Sequence, residues 1–238
     1  MSGHSKWAQI KHKKAITDAK KSKVFTKASS LITVAVREKG EDPELNPKLK
    51  LAIEKARAIN MPQDNIKRAI ERGKGLGAGA ALERLRYEAY GPHSVAFVID
   101  AISDNKNRTL AEIKHILSQH NGKMAQMGAV TWMFEEKAEL ELALPSLSEQ
   151  QELEFIELGA EDIQYHNSEI LISSSPSSFN VLTEKLEALH LPCTRAEIVL
   201  IPKEPIALNE SQKEEILTLL DALDEQNEVD EVYTNAEF

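Results

Sequence analysis

The chain has 238 residues, of which 42% are hydrophobic, 28% charged and only 5% aromatic. That balance excludes a disordered or fibrous chain and predicts globular domains with aliphatic cores; at roughly 100–200 residues per domain the length suggests two domains or three small ones. A single cysteine, Cys193, excludes an intrachain disulfide and a Cys-based zinc site. No run approaches the roughly 18 apolar residues of a membrane span, and the opening residues carry charge with no apolar stretch behind them, so no secretory signal is expected. These features fit a soluble protein of a reducing compartment, with the cytoplasm as the expected location.

The net charge of −9 conceals a strong asymmetry. Residues 1–75 hold 18 Lys and Arg against 8 Asp and Glu, residues 76–134 hold 6 against 5, and residues 135–238 hold 5 against 25. A basic head precedes an acidic tail, a pattern that points to a polyanion partner at the head.

In chain order, residues 1–13 show neither helical nor strand period and read as an arm. From Thr17 to Gly40 a helix is predicted, because Val24, Phe25, Ala28, Leu31, Ile32, Ala35 and Val36 recur at the spacing of one buried face. Lys20, Lys23 and Lys27 share a face of it. Asn46-Pro47 predicts the next helix start, with Asn as the cap and Pro in the first turn. Leu49, Ala52, Ile53 and Ala56 continue it until Met61-Pro62 breaks the pattern. A third helix runs to about Arg72. Gly73, Gly75, Gly77 and Gly79 then read as a flexible linker; the spacing is not that of a phosphate-binding loop.

Past the linker the period becomes that of strands, at Leu85–Ala89 and Val95–Ile102. A helix is expected over Asn107–His120, then strands at Ala129–Phe134 and Ala138–Leu142. The remainder reads as helix 148–158, strands 161–166 and 169–173, helix 177–190, strand 195–201, helix 210–225 and strand 229–234. Residues 136–202 thus spell β-α-β-β-α-β, a ferredoxin-like unit. The expected fold is α+β and multidomain: a basic helical domain over 1–75, a linker over 76–81, a discontinuous α/β domain over 82–134 and 205–238, and a ferredoxin-like domain over 135–204 inserted in it.

Chemistry-bearing patterns are sparse. His115 and His120 are five apart, off a shared helical face. Cys193 reads as inert packing. No nucleophile elbow or zinc-protease motif occurs, so no catalytic residue, metal or cofactor is expected. The head is more informative: Lys6, Lys11, Lys13, Lys14, Lys20, Lys21, Lys23 and Lys27 meet only Asp18 in opposition, and cations of this density bind phosphates without regard to sequence. Trp7 either stacks on a base or anchors a small core. No zinc finger, basic heptad or convincing recognition helix is visible. Asp104, Asn105, Asn107 and Arg108 open a helix, either as caps or as a partner or phosphate contact.

Gly3-His4-Ser5-Lys6-Trp7, Ile10-Lys11-His12-Lys13, Phe25-Thr26-Lys27, Asn46-Pro47, Asn60-Met61-Pro62, Asp64-Asn65-Ile66, Tyr90-Gly91-Pro92, Asp104–Thr109 and Trp132-Met133-Phe134 together resemble the YebC family over essentially the whole chain. The departures are Gln9 where the family has Asn, Ala89 and Ser94 where it has Gly, and a segment around Asn121 and Ala125 poorer in Gly than is usual. The resemblance implies a helical head and two α/β domains without known catalytic activity. Members are described as probable DNA-binding transcriptional regulators; mitochondrial relatives are described as translational activators, and bacterial ones have been linked to ribosomes and stalled peptide synthesis. Lys6, Trp7, Lys11, His12, Lys13, Lys14, Lys20, Lys23 and Lys27 carry over as contact candidates. The expected function is a non-enzymatic nucleic-acid-binding regulator. A ribosome-associated translation factor binding ribosomal or transfer RNA is the alternative, and an acidic protein-interaction module is a further one. The expected partner is DNA or ribosomal RNA, with no membrane and no small-molecule substrate.

Overall fold

In the computed structural model, residues 18–75, 81–166 and 168–238 are described. They form two compact units: Phe134–Ile201 is one, and the chain before it together with Pro202–Phe238 is the other.

The described part of the larger unit opens with the helices α1 (Asp18–Lys39), α2 (Pro47–Ala58) and α3 (Gln63–Gly73). Ala28, Ile32, Leu49, Ala56, Ile66 and Ala69 close their core. Two devices fix how they meet. Asn46 is fully buried; its Nδ2 donates to the carbonyls of Ala35 and Gly40, each at 2.8 Å, while its Oδ1 accepts from the Leu49 N–H at 3.1 Å. One side chain thus satisfies groups at the end of α1 and the start of α2. The second device is Gly73. A Cβ there would lie 2.6 Å from the Val36 Cβ and 2.7 Å from the Thr33 carbonyl oxygen. Gly73 is therefore the last residue of α3, pressed against α1, and not the start of a linker. The rest of the expected linker, residues 76–80, lies outside the described residues. The apolar period of α1 predicts one buried face, yet every residue from Ile32 to Val36 is buried. The reason is that α1 touches the strand Ala96–Ser103 as well as α2 and α3.

Strands β1 (Glu83–Tyr90) and β2 (Ala96–Ser103) pair antiparallel from Glu83↔Ser103 to Tyr90↔Ala96. A short β3 (Lys123–Met124) flanks β1, and β9 (Val229–Thr234) flanks β2, giving the order β3-β1-β2-β9. Helices α4 (Lys106–Gln119) and α7 (Glu210–Asp224) close the core around Phe97, Ile99, Ile113, Leu117, Ile216 and Leu220.

The smaller unit runs β4 (Phe134–Leu142), α5 (Glu149–Glu157), β5 (Ala160–His166), β6 (Glu169–Ser174), α6 (Phe179–Ala188) and β7 (Cys193–Pro202). Its sheet order, β5-β6-β4-β7, is the ferredoxin-like arrangement. Leu140 sits opposite Ile172 and both are fully buried, with Phe155 and Leu182. Back in the larger unit, β8 (Ile206–Ala207) and β10 (Ala236–Glu237) form a small parallel pair that the sequence pattern does not reveal.

Two expectations need correcting. Of the strand expected over 129–134, only Phe134 is extended: residues 129–133 are a loop ending in a single 3₁₀ turn at Thr131–Met133, and one strand then runs unbroken from Phe134. Cys193 is exposed at the start of β7, its Sγ 3.3 Å from the Arg195 carbonyl, and is not core packing.

Candidate nucleic-acid interface

Of the predicted phosphate contacts, Lys6, Trp7, Lys11, His12, Lys13 and Lys14 lie outside the described residues, and Lys20 and Lys21 stand in the first turn of α1. Lys23 and Lys27 have specific protein partners. The Lys23 Nζ donates to the Glu225 carbonyl at 3.0 Å. The Lys27 Nζ donates to the Asp224 carbonyl at 2.6 Å and to its carboxylate at 3.1 Å. Both ammonium groups therefore sit at the C-terminal end of α7, where unpaired carbonyls and the negative pole of the helix favour cations.

Further charges line the same seam between the helical head and the sheet. Arg84 on β1 donates to Glu38 at 3.0 Å, and Lys48 reaches the other oxygen of Glu38 at 3.0 Å. Burial pushes the Glu38 carboxyl up, but Lys48 and Arg84 together bring it below its ordinary value. On β9, burial, with Glu231 beside it, pushes the Asp230 carboxyl up to about 6, against the opposing pull of Arg84, Lys55 and Lys27.

The Asp104–Arg108 segment is a helix cap. The Asn105 side chain accepts from the Arg108 N–H at 3.1 Å, and the Arg108 guanidinium pairs with Asp104 at 2.8 Å and with Glu228. Asn107 is exposed beside them.

Two features escape sequence reading. Helix α3 exposes Lys67, Arg68 and Arg72, three further cations on the head, interleaved with the exposed Asp64 and Glu71. Their spacing was visible, but ordinary solvated helices look the same. The other is the loop after β3. Glu88 of β1 is buried, and its carboxylate accepts from the N–H groups of Gly128 at 2.6 Å, Val130 at 2.6 Å and Thr131 at 3.0 Å. Burial pushes this carboxyl up, but those three hydrogen bonds hold it below its ordinary value. They also remove the donors a strand over 129–134 would need, and Gly128 at φ +84° breaks the extended run. Nothing in the local sequence marks Glu88 as the anchor of a loop forty residues away.

Among the described residues no group of three or more His, Cys, Asp or Glu side chains is placed to hold a metal ion, and no helix is long and apolar enough to cross a membrane. The chain is an α+β protein with its Lys and Arg concentrated in the first 75 residues and its Asp and Glu concentrated in residues 135–238. The chain belongs to the TACO1/YebC family: residues 5–76 match its N-terminal domain and residues 82–236 its second and third domains. It is 44% identical to a protein of Halothermothrix orenii named "Probable transcriptional regulatory protein", over 99% of this chain and 94% of that one. A Thermotoga maritima protein of the same name is 42% identical, over 100% and 94%. The crystal structure of a conserved hypothetical protein from Aquifex aeolicus superposes with a TM-score of 0.85 at 40% identity, covering 98% of this chain and 96% of that one.

Proposed function

We propose that this protein is a non-enzymatic, cytoplasmic regulator of gene expression that binds nucleic acid through its head. The observation that carries the reading is the concentration of 18 Lys and Arg in the first 75 residues of a chain whose net charge is −9. The cations supply sequence-independent attraction to phosphates, and the acidic remainder repels nonspecific polyanions and confines contact to the head. The names of the relatives favour DNA as the target, so duplex DNA is the first ligand to test.

Replacing Lys11, Lys13 and Lys14 together with Ala is expected to weaken binding to duplex DNA. The dependence of log K on log salt should flatten by about one unit per lost phosphate contact. A folded triple variant with unchanged affinity and slope overturns the reading. A second reading, a ribosome-associated translation factor, draws on one observation: an indole exposed on the second domain, at Trp132, suits unpaired bases better than a closed duplex. Sedimentation of a lysate separates the two. RNase-sensitive, DNase-resistant migration with ribosomes favours translation; DNase-sensitive retention with the nucleoid favours transcription.

A further inference from the structure

We infer that the loop pinned by Glu88 is a stacking site for an unpaired nucleobase, with Trp132 as its platform. The inference rests on the reading of the chain as a nucleic-acid binder and specifies what the second domain contributes to it.

The loop is built rather than slack. Burying a carboxylate is costly unless its oxygens are fully engaged, and Glu88 is engaged by three backbone donors of one short segment. The Ala129 carbonyl accepts from the Tyr90 hydroxyl at 3.2 Å and from the Trp132 Nε1 at 2.9 Å. Lys203 closes the far end, its Nζ donating to the Trp132 carbonyl at 2.8 Å and its backbone N–H to the Met133 carbonyl at 2.9 Å. This scaffold nevertheless leaves two large apolar side chains in the open, Met127 at 93% and Trp132 at 64% exposed.

What the loop still offers selects its ligand. The indole N–H is engaged within the loop, so Trp132 presents chiefly its π surface. The N–H groups of Gly128, Val130 and Thr131 face Glu88, so the loop cannot cradle a phosphate. Two exposed side chains fall far short of the roughly 800 Å² per partner that a stable protein interface buries. One ammonium group is fixed beside the platform: the exposed Lys203 donates to the carbonyl of the indole-bearing residue, and residues 121–133 themselves carry no acidic side chain. An exposed aromatic face with one ammonium group alongside fits a base that is out of its stack with its phosphate nearby. A closed duplex offers no such base.

Only Trp7 and Trp132 are present, so Trp7→Phe makes Trp132 the sole indole of the full-length chain. Its emission is followed while oligo(U), oligo(dT) and a blunt duplex of equal length are titrated at low salt. Both single strands are expected to quench Trp132 emission and the duplex to leave it nearly unchanged. Stronger quenching by oligo(U) assigns the site to RNA, and by oligo(dT) to melted DNA. In the parent chain Trp132→Ala should weaken single-strand binding by about five- to a hundred-fold and duplex binding by less than about twofold. Trp132→Phe should restore most of the loss. Single strands that bind without changing Trp132 emission, at an affinity Trp132→Ala leaves alone, overturn the stacking site while the head's role stands. Failure of every nucleic acid to bind overturns both. Quenching by ribosomal protein but by neither oligonucleotide overturns the assignment in favour of a protein partner.

Discussion

Lys27 and Asp224 lie 197 residues apart in sequence, and one ammonium group bonds both the backbone carbonyl and the carboxylate of the same aspartate. Lys27 shares a helical face with Lys23, four residues before it, and both are candidates for phosphate contact in the sequence reading. Under the proposed function, the end of α7 occupies with its own oxygens a place that phosphate oxygens would take. Asp224→Asn removes the competing charge and keeps the carbonyl contact. It is expected to raise affinity for nucleic acid about two- to fivefold at low salt, while costing less than about 1 kcal/mol of stability, as for a partly exposed pair. Lys27→Ala should leave affinity nearly unchanged, unlike substitution of Lys11, Lys13 and Lys14. Fluorescence anisotropy across a salt series checks both. A large loss in Lys27→Ala would mean that Lys27 leaves Asp224 to bind phosphate.

The seam has a pH signature through Asp230. Its carboxyl, pushed up to about 6, holds its proton in the folded chain at pH values where an unfolded aspartate, near 3.9, has lost it. The folded state binds more protons in that interval, so this group makes stability fall as pH rises from about 4 to about 6, with the full cost present above 6. Asp230→Asn should flatten that fall. It should stabilise the protein at pH 7.5 by at most about 3 kcal/mol, the value of two pH units at about 1.4 kcal/mol each. Urea denaturation of parent and variant at pH 4, 5, 6 and 7.5 makes the comparison; parallel pH profiles would exclude the effect.

Glu88 has the opposite sign. Its carboxyl is held below its ordinary value, so its contribution is fully present above about pH 4.5 and is lost as pH falls through the depressed value. Glu88→Gln places an amide N–H₂ among three N–H donors and should cost about 2–4 kcal/mol, the range for breaking a buried charge-assisted network. In the Trp7→Phe background, acidification below pH 4 and Glu88→Gln at neutral pH should change Trp132 emission alike. A Trp132 signal unmoved by both would show that Glu88 does not set the loop.

Ser94 shows what sequence can disclose. The family resemblance implies Gly where Ser94 stands, and Ser94 adopts φ +61°, next to His93 at φ +58°, in the left-handed region that favours Gly. The departure was legible; the backbone that explains it was not. The head helices were legible through aliphatic period and through Asn46-Pro47, because those signals are local. The alternation along β4 and β6, and the prolines between elements, likewise gave the smaller unit its order. Sequence pattern predicts a strand from Ala129, where residues 129–133 are instead a loop, because their conformation is imposed by a carboxylate on β1. The partners of Lys23 and Lys27 were hidden for the same reason, since α7 lies about two hundred residues away. Ser94→Gly is expected to raise stability by about 1 kcal/mol by releasing backbone strain. Thermal denaturation checks it, and a lower melting temperature would mean that the added chain freedom outweighs the strain.

The last prediction concerns the smaller unit. Arg195 on β7 donates to Glu139 at 2.9 Å, to Glu141 at 3.1 Å and to Glu197 at 2.5 Å, and the Glu139 side chain is only 2% exposed. Burial opposes the guanidinium charge, but Glu197, Glu139 and Glu141 more than offset it and raise its hold on the proton. Breaking a buried pair by removing one member costs more than the pair contributes, because a charge is left behind without its counter-ion. Arg195→Met should therefore destabilise the unit by about 3–5 kcal/mol. Adding Glu139→Gln to Arg195→Met should recover a substantial part of that loss, since the most buried carboxylate is then neutral. Urea unfolding followed by circular dichroism gives the cycle; a double variant no more stable than Arg195→Met would place the cost in lost packing of the arginine stem instead of in the stranded charge.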